Sequence, residues 1–181
     1  MKYIIFDLEL NSKPFKSKIP NEIIEIGAIK LNSKLKVVDT FQAFIKPRHY
    51  SKLFRHIKKK TNIIQNDIDC AEDFKSVMRR FKKWIGREYI LCAWGQDDFY
   101  HLNTNCTMEK MSVKWIEKRI NIQKEFSRIY NFEKGKQSSL KDALNILDIP
   151  IIEENLHRAD VDAQYTSEVF IKIFDKLDIK K

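Results

Sequence analysis

Two carboxylates stand two residues apart near the start of the chain, in the segment MKYIIFDLEL. The apolar run of residues 3–6 predicts a buried strand. Residues i and i+2 of a strand point to the same face, so Asp7 and Glu9 should project together. Adjacent like charges repel, and burying them unpaired is costly. We therefore expect a divalent cation, or a Lys or Arg from elsewhere in the chain, to neutralise them.

Two later segments carry acids in similar settings. WGQDD places Asp97 and Asp98 after a strand and a glycine, a position where acids also commonly serve the first turn of a helix. HRADVD places Asp162 at the edge of the apolar face of a long helix, where an acid needs a partner. His157 cannot stack with Asp162 on one helical face, so it should lie in the entering loop if both serve one site.

The acids of these three distant segments share one property, since each stands at a strand end or a helix edge in apolar surroundings. Carboxylate clusters suit Mg²⁺ or Mn²⁺, because hard cations prefer oxygen ligands. Two such ions about 3.5–4 Å apart can activate a water molecule and stabilise the leaving oxygen of a phosphodiester. The pattern therefore favours metal-dependent phosphodiester chemistry.

The elements that would position these residues follow from periodicity and from turn residues. Besides the first strand, the sequence predicts strands at 22–31, 36–47 and 88–94 and helices at 71–86, 138–150 and 159–177. The segment 112–130 fits a strand or a helix equally well. The first three strands are joined by short connections, which predicts an antiparallel meander. The order of elements predicts an α/β protein with a mixed sheet.

Composition narrows the class of protein and of partner. The 181 residues suit one compact domain spanning 1–181. The formal net charge of +9 favours a polyanionic partner, nucleic acid before a membrane surface, although a merely solvated Lys-rich surface is the alternative. No apolar run is long enough for a signal peptide or a membrane span. No amphipathic helix clearly combines a basic face with an exposed aromatic edge, which argues against a membrane surface as the partner. The three Cys show no paired spacing and indicate reduced thiols in a cytoplasmic protein.

The sequence resembles the DEDDh 3′→5′ exonucleases, the DnaQ-like branch of the ribonuclease H-like fold. FDLEL is similar to the family's first motif and supplies Asp7 and Glu9. WGQDD is similar to the second, with Asp98 rather than Asp97 as the matching acid, and HRADVD to the third, with His157 and Asp162. The flanks NEIIEIGAIKL and KTNIIQNDID are closest to the ERI-type exoribonucleases and KapD-like bacterial proteins.

This resemblance implies a ribonuclease H-like mixed five-stranded sheet flanked by helices. It implies two Mg²⁺ or Mn²⁺ ions held by Asp7, Glu9, Asp98 and Asp162, with His157 as the general base. The 3′-terminal nucleotide would lie near Leu8, Leu10 and His157, where Leu10 replaces the small residue of many relatives. The implied reaction is 3′→5′ hydrolysis of single-stranded nucleic acid, RNA before DNA, with release of nucleoside 5′-monophosphates.

Two other functions stay open on the same fold. One is a nucleic-acid-binding module that no longer turns over substrate; all five motif residues are present, which argues against it. The other is a DNA-preferring exonuclease of the proofreading type. The ERI-type flanks favour RNA over this alternative.

Overall fold

The computed structural model describes residues 1–133, 136–152 and 156–178. Its centre is a mixed sheet of six strands in the order β4-β3-β2-β1-β5-β6. The strands are β1 (Lys2–Asn11), β2 (Glu22–Leu31), β3 (Val37–Lys46), β4 (Glu72–Asp73), β5 (Tyr89–Ala93) and β6 (Arg119–Asn121).

The predicted antiparallel meander is confirmed, because β2 pairs antiparallel with both β1 and β3. On the other side of β1, β5 and then β6 add in parallel. The predicted α/β class with a mixed sheet is therefore confirmed, and five strands match the expected number. The sixth, β4, is a two-residue strand that pairs with the end of β3 and was not expected.

Seven helices are found in the described residues, and side-chain caps explain where several of them begin. They are α1 (Arg55–Thr61), α2 (Gln65–Asp69), α3 (Phe74–Ile85), α4 (Gln96–Met108), α5 (Ile122–Ile129), α6 (Leu140–Ile146) and α7 (Ala159–Ile173). Asp73 caps α3, and a capping box between Ser139 and Asp142 begins α6. The ambiguous segment 112–130 contains a 3₁₀ turn, then β6, then α5.

Alternation along β1 divides the core into two layers. Ile4, Phe6 and Leu8 pack on the side of α3 and α4, whereas Tyr3 and Ile5 pack on the side of α5, α6 and α7. The odd-numbered side chains of β1 therefore face α7. Asp7 and Glu9 continue this odd-numbered face toward the end of the strand.

The start of α7 lies directly on β2. A side chain at Gly27 would overlap the backbone of Ala159 and Asp160, so only glycine permits this approach. The contact sets the first turn of α7 beside the carboxylate end of β1. In the part of the chain that the structure describes, no helix has the length and apolar character needed to cross a bilayer.

Candidate active site

The pairing of β1 opens the sheet where its carboxylates lie. Parallel pairing with β5 ends at Ile5 and Cys92, whereas β1 continues to Asn11 against β2 alone. Beyond Ile5, one edge of β1 therefore has no neighbouring strand. Asp98, in the first turn of α4, comes to this open edge. Burial, and then the charge of Asp97, raise the pKa of Asp98, and hydrogen bonds from the backbone N–H groups of Asp98 itself, Gly95 and Leu8 oppose this rise in part.

The loop before α7 places His157 at the same end of the sheet. His157 has a left-handed backbone with φ of 68° and lies two residues before the helix begins at Ala159. This agrees with the expectation that it occupies the entering loop. Asp162 lies in the first turn of α7. Ligand atoms of Glu9, His157 and Asp162 all lie within 4.8 Å of one another.

Asp7 interacts electrostatically with the other acids at this end of the sheet. Its pKa is raised well above the usual value by burial and then by the charges of Asp98, Asp162 and Glu9. Asp7 is thus the residue that all three other acids influence. The structure brings together the five residues that the three motifs supplied, from β1, α4 and the start of α7.

The carboxyl groups at this site hold protons more strongly than ordinary acids. Burial raises the pKa of Glu9 to about 7, of Asp98 to about 7 and of Asp162 to about 6. Burial, with a smaller contribution from Lys60, lowers the pKa of His157, which keeps the imidazole neutral near pH 7. Shifts of several carboxyl groups in one cleft are characteristic of functional sites.

Lys60 supplies one neutralising charge that the sequence did not assign to this place. Its Nζ lies 3.6 Å from Oε2 of Glu9, and its side chain is half exposed. Lys60 lowers the pKa of Glu9 against the effect of burial. Within the described residues, Lys60 is the basic side chain that pairs with one of the clustered acids. One lysine leaves the other carboxylates of the cluster uncompensated, so a lysine partner and a bound metal can both be present at this site.

The donor set fits divalent cations. Oδ1 of Asp162 and Oδ1 of the neighbouring Asp160 are buried without a hydrogen-bond partner in the described part of the chain. Buried oxygens of this kind normally find a partner. A hard cation among Asp7, Glu9, Asp98 and Asp162 would satisfy such oxygens and relieve the mutual repulsion of the carboxylates.

Behind the acids, a buried ion pair anchors the start of α7, and sequence reasoning missed it. Glu25 of β2 is fully buried opposite Glu9. Its Oε1 and Oε2 accept hydrogen bonds from Arg158, at 2.8 Å from Nη2 and 3.1 Å from Nε. The same carboxylate accepts from Gln42 at 2.7 Å and from the backbone N–H of Ala159 at 3.2 Å. An acid inside the apolar strand EIIEIGAIKL was the available signal.

Other parts of the molecule offer less chemistry. The hollow lined by Glu22, Asn105 and Glu109, of about 340 Å³, lies elsewhere. Glu22 accepts hydrogen bonds from backbone N–H groups at 2.6–3.1 Å, and Glu109 pairs with Arg48 and Lys75 at 3.4 and 3.3 Å. Their charges are already compensated, so this hollow lacks the unsatisfied carboxylates of the group around Asp7.

The family model described as exonuclease, RNase T, matches residues 4–170, which include all five clustered residues. The chain belongs to this exonuclease family. The resemblance to DEDDh exonucleases drawn from the three motifs is thereby confirmed.

Curated relatives of the chain include two kinds of protein. This chain is 28% identical over 176 residues to a PolC-type DNA polymerase III of Caldanaerobacter subterraneus, and the match covers 97% of this chain and 12% of that protein. It is 28% identical over 128 residues to 3′-5′ exoribonuclease 1 of Rattus norvegicus, covering 64% of this chain and 36% of that protein. The chain thus spans a minor part of the length of these relatives.

Solved structures confirm the ribonuclease H-like fold of the chain. The nuclease domain of 3′hExo, a DEDDh family member bound to rAMP, has a TM-score of 0.87 at 23% identity, covering 99% of this chain and 96% of that one. Exonuclease X in complex with 5′ overhanging duplex DNA has a TM-score of 0.68 at 15% identity, with coverage of 98% and 94%. At these identities the likeness concerns the fold.

The remaining residues expected at the site divide between the core and the cleft. Leu8 is buried among the side chains facing α3 and α4, and Leu10 is half-buried beside that cluster. Both line a hollow of about 240 Å³ that also includes Glu9, Ser12 and Lys60. Asp97, in contrast, is exposed on the first turn of α4.

Proposed function

We propose that this protein is a metal-dependent 3′→5′ exonuclease that hydrolyses single-stranded nucleic acid and releases nucleoside 5′-monophosphates. The observation that carries the proposal is the meeting of Glu9, His157 and Asp162 within 4.8 Å, next to the mutually interacting Asp7 and Asp98. In this proposal the whole chain acts as one exonuclease domain.

The residues take the following roles in the proposed reaction. Asp7, Glu9, Asp98 and Asp162 would hold two Mg²⁺ or Mn²⁺ ions. When bound, the ions lower the pKa of water and stabilise charge on the leaving oxygen. The 3′-terminal nucleotide would lie against Leu8, Leu10 and His157.

His157 acts as the general base. Its lowered pKa keeps Nδ1 or Nε2 free to accept a proton at neutral pH. The proton of the attacking water passes to the imidazole as the water oxygen bonds to phosphorus. The bond from phosphorus to the 3′ oxygen of the preceding nucleotide then breaks. This oxygen takes a proton from solvent to become a 3′-hydroxyl group, and a 5′-monophosphate is freed.

RNA is the favoured substrate, and two observations support this choice. One relative is named as a 3′-5′ exoribonuclease, and a structural neighbour with a TM-score of 0.86 is described as recognising a histone mRNA stem-loop. The second candidate, a DNA-preferring exonuclease, draws support from the PolC-type relative, which covers more of this chain than the exoribonuclease does. A cytoplasmic location accords with the three free thiols.

A side-by-side digestion tests this function. Single-stranded RNA and DNA of one sequence, labelled at the 5′ end, are incubated with Mg²⁺ or Mn²⁺, alongside Asp7→Asn as the inactive control. Loss of single nucleotides from the 3′ end, faster on RNA, is expected. Equal rates on RNA and DNA would overturn the RNA preference, and no release by the wild type would leave the nucleic-acid-binding module.

A further inference from the structure

The net positive charge of the chain comes from two segments that contain basic residues and no acids. Residues 10–21 and 47–66 together contain nine of the 34 Lys and Arg residues and none of the 25 acids. The rest of the chain is therefore formally neutral, and these segments account for the whole net charge of +9. Such a concentration indicates a surface for a polyanion better than a dispersed excess of lysine would.

Aromatic rings join the two segments in space. The ring of Phe15 lies 6.0 Å from that of Tyr50 and 5.9 Å from that of Phe54, measured between centroids. Tyr50 and Phe54 are 5.9 Å apart. Phe15 is 51% exposed although it belongs to this cluster, so it presents apolar ring surface to solvent.

The cluster continues into the candidate active site. Phe54 stacks on His56 with 6.1 Å between the ring centroids and an interplanar angle of 19°. His56 in turn lines the hollow that contains Glu9 and Leu10. A chain of rings therefore leads from the carboxylates outward to Phe15.

The loop that carries Phe15 is held in place by its own polar contacts. Lys13 Nζ donates to the carbonyl oxygen of Ile19 at 2.6 Å and to Oδ1 of Asn21 at 3.1 Å. The hydroxyl groups of Ser17 and Tyr50 lie 3.3 Å apart. Lys16 and Lys18 are exposed, and within the described residues neither pairs with an acid, so their charges remain available to a ligand.

We propose that Phe15, Tyr50 and Phe54, with Lys16 and Lys18, form an upstream surface that binds the nucleotides on the 5′ side of the one being removed. This inference rests on the proposed function, since it takes the hollow beside Glu9 as the place of the 3′-terminal nucleotide. Bases stack on the exposed ring of Phe15, and the lysines contact the phosphates. Stacking accepts every base, so the surface selects single strands of sufficient length rather than a sequence.

Binding without catalysis tests the lysines. Single-stranded decamers of RNA and of DNA carry fluorescein at the 5′ end and are titrated with the protein to measure affinity. EDTA is present to prevent cleavage, and the titration is repeated between about 50 and 200 mM salt. Lys16→Gln with Lys18→Gln should make the slope of log affinity against log salt less steep by about 1.4, the value for two phosphate contacts on a single strand. The control pair Lys114→Gln with Lys118→Gln removes the same charge from exposed positions elsewhere and should leave the slope unchanged.

Cleavage as a function of length tests the aromatic ring. Phe15→Ala should raise the KM for the decamer roughly 5- to 10-fold, the range of one lost stacking contact on a half-exposed ring. The KM for a dinucleotide should stay the same, because its single upstream nucleotide would lie beside His56 and Phe54, which come before Phe15 in the chain of rings. Val37→Ala is the control, since Val37 is 55% exposed at the other end of the sheet.

The outcomes separate the two proposals. If the wild type binds the decamers with the expected difference between the lysine pairs but releases no nucleotide, the upstream surface stands and the proposed function is wrong. If the wild type is active and both test variants behave like their controls on RNA and on DNA, the upstream surface is wrong and the function stands. Equal effects of Phe15→Ala on the dinucleotide and the decamer would also overturn the surface.

Discussion

Arg158 and Glu25 are joined by two hydrogen bonds of 2.8 and 3.1 Å, which tie the residue after His157 to the middle of β2. Glu25 is fully buried, so its charge depends on this partner. The same carboxylate accepts from the backbone N–H of Ala159, the first residue of α7. The pair therefore holds the segment that carries His157 and Asp162 against the strand face of Glu9.

Arg158→Ala should destabilise the protein by roughly 2–4 kcal/mol, because it leaves the buried Glu25 carboxylate unpaired. Arg158→Lys keeps the charge and should lose less. Urea unfolding monitored by circular dichroism measures both. A free energy of unfolding for Arg158→Ala equal to that of the wild type would show that Glu25 is compensated by Gln42 and Ala159 alone.

Asp7→Asn should abolish nucleotide release at saturating Mg²⁺ while the fold is kept. The substitution removes the charge that Glu9, Asp98 and Asp162 all influence. Without metal, the variant should be more stable than the wild type, because repulsion among the acids is relieved. Asp97→Asn, on the exposed neighbour of Asp98, is the control and should retain activity. Wild-type turnover by Asp7→Asn would contradict the assignment of the metal ligands.

His157→Ala should lower the rate roughly 10²- to 10⁴-fold, the usual effect of losing a positioned general base. Its ring nitrogen lies within 4.8 Å of ligand oxygens of Glu9 and Asp162, so a second role as a metal ligand needs a direct test. Calorimetric titration with Mn²⁺ provides it. Unchanged affinity supports the base, whereas a loss of affinity that accounts for the lost rate would make His157 a ligand instead.

The metal-free protein should melt at lower temperature as the pH rises from about 5 to about 8. The folded pKa values of Glu9 and Asp98, both about 7, and of Asp162, about 6, lie above those of unfolded carboxyl groups. The folded state thus binds more protons. This stabilisation is complete below the unfolded pKa values, near 4, and is lost as the pH passes the folded values.

Differential scanning calorimetry in EDTA and in Mg²⁺ measures this effect. Bound Mg²⁺ should raise the melting temperature most at the higher pH, where the carboxylates are ionised and available as ligands. A melting temperature in EDTA that rises between pH 5 and pH 8 would contradict the raised pKa values of the site.

Local geometry was enough to predict from the sequence that two carboxylates share one strand face and in which order the strands and helices follow one another. Alternation in β1 is a property of any strand, so Asp7 and Glu9 could be assigned to one face without knowing what lay opposite. The place of His157 in a loop followed from helical rotation on the condition that His157 and Asp162 serve one site. Choosing Asp98 over Asp97 required the family resemblance, because both residues lie in the first turn of α4.

Only the tertiary structure decided which residues support and surround these acids. The end of β5 pairing at Ile5 opens the edge that Asp98 approaches, and chain composition does not reveal where a pairing ends. Glu25 and Arg158 are 133 positions apart in the sequence, and packing of α7 on Gly27 brings them into contact. Phe15 and Tyr50 are 35 positions apart, and folding of the loop that carries Phe15 brings their rings together. Contacts between distant segments depend on the whole packed chain, whereas periodicity reports only neighbours along it.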